Sequence, residues 1–184
     1  MHASEISYII NQLDQTFDKN PWYGEPIHSI LKSVDPDNVF ESPTEGIHSI
    51  GELVAHLITY RVFATRRLLG DNDYYVSQEN SFRWQRLYPE KKDAWDNLMG
   101  KLTTEHQHLL SILRESDGSI LDKTVGGQSY SFRYLLNGII QHDLYHLGQV
   151  VLIKKMNQRK HQAKPGPMNY SYKLFPFKDL SLIK

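Results

Sequence analysis

The chain has 184 residues with 21 basic and 21 acidic side chains, so no net field draws it toward nucleic acid or an anionic membrane. It contains no cysteine, which excludes disulfide scaffolds, thiolate-bound zinc and a cysteine nucleophile together. Met1 is followed by His2-Ala3-Ser4-Glu5 rather than a basic start and an apolar run, and no stretch approaches the roughly 18 apolar residues of a membrane span, so a cytoplasmic protein is expected.

In chain order, Ile6, Ile9, Ile10, Leu13 and Phe17 repeat at helical spacing and predict a first helix ending before Asn20-Pro21. Pro21-Trp22-Tyr23-Gly24 reads as a turn, and Ile27, Ile30, Leu31 and Val34 give a short helix stopped by Asp35-Pro36. Residues 35–47 form a connection. The second long helix opens on Ser49-Ile50-Gly51-Glu52, a capping box, and carries Ile50, Leu53, Leu57, Ala64 and Leu68 until Gly70-Asp71-Asn72 ends it. Residues 71–89, with Tyr74, Tyr75, Phe82, Trp84 and Tyr88, read as a long aromatic loop, either a lid or a surface wrap.

A third long helix is predicted from about Glu90 to Glu115, with Trp95, Leu98, Leu102, Leu109 and Leu113 on one face. Ser116-Asp117-Gly118-Ser119 closes it, and Val125-Gly126-Gly127-Gln128-Ser129 makes a turn. The last helix runs from near Ser131-Phe132 to about Met156. The irregular tail beyond it contains Lys164-Pro165-Gly166-Pro167 and an apolar end that packs on the body or on a partner subunit, a homodimer being one form. Four amphipathic helices without strand periodicity imply an all-α protein, an antiparallel helix bundle over residues 1–157 with a tail over 158–184, although the long loops on either side of the second long helix do not force up-down-up-down order.

The chemistry centres on Ile139-Ile140-Gln141-His142-Asp143-Leu144-Tyr145-His146. Taking about 100° per residue, Leu135, Ile139, His142, His146, Val150 and Ile153 share a stripe of about 80°. Two imidazoles one turn apart therefore sit on the apolar face, where each needs a partner or a metal. A mononuclear site usually takes three protein ligands. Of the nine histidines, His2 and His161 lie near the ends, His28 and His48 flank irregular pieces, and His108 projects toward solvent. His56, about 60° from Leu53 at the margin of its helix face, and His106, in the middle of its stripe, both remain candidates for the third ligand.

Rival metal motifs fail on spacing. His142-Asp143-x-x-His146 carries aspartate where the zincin pattern has glutamate, and no glutamate follows Glu115. Gln149 and Leu152 replace the extra glycine and histidine of the metzincin pattern. A di-iron carboxylate site needs Glu-x-x-His from two helices, but Glu105-x-x-His108 faces away from its stripe and Glu45-x-x-His48 lies between helices.

The strings Ile47-His48-Ser49-Ile50-Gly51-Glu52-Leu53-Val54-Ala55-His56-Leu57 and Gly138-Ile139-Ile140-Gln141-His142-Asp143-Leu144-Tyr145-His146-Leu147-Gly148-Gln149 resemble the DinB/YfiT-like superfamily of metal-binding four-helix bundles. Pro21-Trp22-Tyr23-Gly24 and the Trp84 loop add to the likeness, which covers about residues 4–157. The resemblance implies a metal site of His56, His142 and His146 for a divalent ion, zinc or nickel. It also implies either a thiol-dependent S-transferase or a hydrolase acting on a small molecule, with a low-molecular-weight thiol as partner, or a non-catalytic bundle that binds a metal or small ligand. Glu52, Gln149 and Tyr60 are the candidates for catalytic support, with Glu52 also explained by its cap, Tyr145 a further donor, and Asp143 placed to bond a neighbouring helix.

Overall fold

The structure, a computed structural model, describes residues 2–76 and 93–161. These residues are all-helical, with strand-like pairing confined to one isolated bridge between Thr124 and Ser131. Helix α1 spans His2–Asp18, α2 Ile27–Lys32, α3 Ile50–Leu68, α4 Ala94–Glu115 and α5 Phe132–His161; a short 3-10 turn, Gly118–Asp122, precedes α5.

Each start and stop has a local cause. The Ser49 hydroxyl accepts from the Glu52 amide at 3.2 Å and the Glu52 carboxylate accepts from the Ser49 amide at 2.8 Å, so the expected capping box opens α3. Gly51 is required there, because a β-carbon would lie 2.5 Å from the Phe40 ring. Helix α4 is described from Ala94 to Glu115, and residues 90–92 of its expected start lie outside the described residues. Helix α5 runs on to His161, five residues past the expected Met156, while residues 162–184 of the expected tail and 77–89 of the expected loop lie outside the described residues.

The long helices touch in a closed ring, α1 to α4, α4 to α3, α3 to α5 and α5 back to α1. Two apolar clusters fill it. One joins Phe17, the first half of α3, Trp95, Met99 and Leu102 of α4, and Leu147, Val150 and Ile153 of α5. The other joins Ile6, Ile9 and Leu13, then Phe63 and Ala64, Leu109 and Leu113, and Leu135 to Ile139. The first halves of α3 and α4 therefore share one end with the second half of α5. Helices α3 and α4 run the same way and α5 runs against them, so the antiparallel expectation holds between α3 and α5 and is corrected between α3 and α4. Parallel neighbours need a long return connection, and residues 69–93 supply its length.

Between the two clusters, at mid-height, lies a layer of polar side chains. Arg61, His106, Asp143, His56 and His146 are all buried there, at 0 to 5 % exposure. Arg61 of α3 donates to both carboxylate oxygens of Asp143 on α5, at 3.1 and 2.6 Å, and also to the Leu57 carbonyl at 3.1 Å. Asp143 thus does bond a neighbouring helix. His106 stacks on Phe17 with ring centroids 3.9 Å apart, and neither of its nitrogens has a hydrogen-bond partner.

Candidate metal centre

The opposed directions of α3 and α5 bring His56 against the two histidines of α5. His142 Nε2 lies 3.0 Å from His56 Nε2 and 3.0 Å from His146 Nε2. The three ligand atoms all fall within 4.8 Å of one another. His106 sits elsewhere in the same layer, on Phe17, so the third place of the cluster is taken by His56.

Proton counting shows what this convergence is suited to. Gln149 Oε1 lies 2.8 Å from His146 Nδ1, so Nδ1 carries the hydrogen and the Nε2 lone pair is directed at the cluster. A single proton on His142 Nε2 satisfies one of its two neighbours well and leaves the remaining lone pairs facing each other. A cation at the centre satisfies all three. Three nitrogens 2.0–2.1 Å from a tetrahedral ion stand about 3.3 Å apart, close to the two 3.0 Å contacts and inside the 4.8 Å that bounds all three pairs. The residues present fit a divalent ion.

The electrostatics favour the ligand form of His142 and His146. Burial, then the neighbouring His146, His56 and Arg61, pushes His142 down to about 3. Burial also lowers His146, against the Gln149 hydrogen bond and the Asp143 charge. Imidazoles held neutral keep the lone pairs that a metal needs. Burial raises the Asp143 carboxyl above the usual carboxylate value, and the Arg61 guanidinium works against that rise.

The remaining expected site residues divide. Tyr60, half-buried, rests on both His56 and His142, with ring centroids 4.9 and 4.7 Å away. Gln149, a candidate for catalytic support, bonds the Nδ1 of His146 at 2.8 Å and holds that ring in place. The Glu52 carboxylate is used by the cap and faces His48 Nδ1 at 3.5 Å. Tyr145 packs edge-on to His146 at 4.9 Å but is itself exposed. His108 is exposed and Glu45 and His48 stand outside any helix, so the di-iron pattern is not assembled. Sequence reasoning missed Arg61, whose one signal was a charge in a helix apolar on nearly every side.

An all-helical chain with three histidines, from α3 and α5, converging in its polar layer is the class that fold and site define. The chain belongs to the DinB superfamily, whose family model matches residues 25–150 and so takes in all three histidines. No curated protein and no solved structure matches it. None of the described helices is long and apolar enough to cross a membrane.

Proposed function

We propose that this chain is a metal-dependent enzyme that binds a divalent ion, zinc or nickel, through His56, His142 and His146 and activates a small thiol, or else water, toward an electrophilic substrate. The ring of four long helices is read as the four-helix bundle of the family. The observation that carries the proposal is the pair of 3.0 Å contacts that bring three Nε2 atoms to one point. When bound there, the ion supplies a positive charge that lowers the pKa of a thiol or water.

The chain's own residues do the rest. Gln149 fixes the tautomer and the ring orientation of His146. The Arg61–Asp143 pair ties α3 to α5 at the level where the two helices bring their histidines together. Tyr60 stands half-buried against two of the three imidazoles, where its hydroxyl can donate to a substrate oxygen. Glu52 is assigned to its cap. The thiol comes from solution, because the chain has no cysteine.

Metal-loaded protein is expected to consume glutathione in the presence of an aryl halide or epoxide, and His142→Ala to lose that turnover. A second reading, a structural or sensing ion without catalysis, draws on the burial of His56 and His146 between the two apolar clusters. Absence of turnover with thiol–electrophile pairs and with simple esters, together with a large fall in melting temperature on chelation, would replace the first reading by the second.

A further inference from the structure

The stripe of α3 that carries His56 continues past the histidine cluster. At 100° per residue, His56, Tyr60, Phe63 and Arg67 fall within about 60° of one another. Arg67 is 4 % exposed. Its Nη1 donates to the Asp71 carbonyl at 3.1 Å, its Cζ lies 5.1 Å from the centre of the Phe63 ring, and its Nε has no partner. The nearby Asp71 carboxylate turns to Arg66 instead, at 3.6 Å, and among the described residues no carboxylate pairs with Arg67. A buried guanidinium with unused donors and no counter-charge is costly unless something anionic reaches it.

The surroundings suit such a visitor. The turn before α5 closes through Gln128 N to Val125 O at 2.9 Å, with Gly127 at φ +71. A β-carbon at Gly127 would lie 4.0 Å from Arg67 Nη2, which places the guanidinium against this turn. Tyr130 leaves the same turn through Val125 N to Tyr130 O at 2.9 Å, and its phenol feels the charge of Arg67 and the proximity of Tyr60. Along α5 toward the histidines, Gly138 sits one turn before His142, and a β-carbon there would meet open space. Tyr60 therefore links the imidazoles to Tyr130, and Tyr130 to Arg67.

We propose that Arg67, with Tyr130, binds the carboxylate of an elongated substrate whose reactive end lies at His56, His142 and His146. The two ends are 11 residues apart on α3, roughly 16 Å along the axis at 1.5 Å per residue. At about 3.3–3.6 Å per residue, a span of that order is four to five extended residues, so it excludes a short mercaptan and suits an extended, peptide-like thiol that carries a carboxylate. The assignment of the reactive end rests on the function proposed above; the anion site at Arg67 does not.

The test is calorimetric titration of the full chain, metal-loaded and chelated, with S-methylglutathione, whose blocked sulfur leaves the carboxylates as the recognised groups. Wild type is expected to bind in both states. Arg67→Leu is expected to weaken binding at least about tenfold, Arg67→Lys less, and Tyr130→Phe about threefold, as for loss of charge-assisted and neutral hydrogen bonds. The dimethyl ester of the probe is expected not to bind. Failure of wild type to bind, or equal binding by wild type, Arg67→Lys and Tyr130→Phe, overturns the proposal; the last two variants decide it even where Arg67→Leu does not fold. Failure of the metal reading appears separately, as absence of bound ion in a chain that still binds the probe.

Discussion

Replacing Arg61 by Met tests the polar layer on which the site rests. Arg61 and Asp143 side chains are 1 and 0 % exposed, and two hydrogen bonds at 3.1 and 2.6 Å join them across α3 and α5. Removing the cation alone strands a carboxylate in the core, a loss of about 3–5 kcal/mol for a buried pair broken from one side. At about 2–4 °C per kcal/mol for a chain of this size, the melting temperature falls by about 6–20 °C. The double variant Arg61→Met/Asp143→Leu removes both charges and fills the space with apolar atoms, so most of that loss returns. Urea unfolding of the two single variants and the double variant, all free of metal, measures the coupling directly. A single substitution costing under about 1 kcal/mol, or a double variant as unstable as the worse single one, would refute the reasoning.

Gln149→Leu removes the acceptor that orients His146, and metal affinity is expected to fall about 10–100-fold with the helical content unchanged, read by competition with a chelator and by circular dichroism. His106, pushed down to about 2 chiefly by burial, titrates below its unfolded value of about 6.5. The unfolded chain therefore takes up a proton that the folded chain refuses, and stability present above pH 6.5 is lost as the pH falls toward 2. For this one residue the loss reaches about 2 kcal/mol at pH 5, so His106→Leu is expected to lose that much less than wild type between pH 7 and pH 5 in urea unfolding. Parallel curves for the two proteins would contradict it.

What the sequence disclosed and what it hid follow from the range of the interactions. The capping box of Ser49 and Glu52 spans three residues, and the pairing of His142 with His146 spans one helical turn, so both are legible from spacing. The turn at Val125–Gln128 is legible for the same reason, through Gly127. The third ligand is different. His56 and His106 each point inward on their own helices, and periodicity cannot say which meets α5; only the likeness of the string around His56 separated them. Structure then gives the cause, since Phe17 of α1 takes the face of His106. Arg61 was invisible because its partner lies 82 residues away, and a lone arginine on a helix reads as a solvated charge. The direction of α4 was hidden too, because periodicity fixes a helix face and not its sense.

The central claim is that three imidazoles hold one ion. Metal content by plasma mass spectrometry, on the purified chain and on His142→Ala prepared alongside it, tests it most directly. The account predicts about one divalent ion per wild-type chain and less than about a tenth of that in the variant, as for loss of one of three protein ligands. Equal metal content in the two proteins would contradict it.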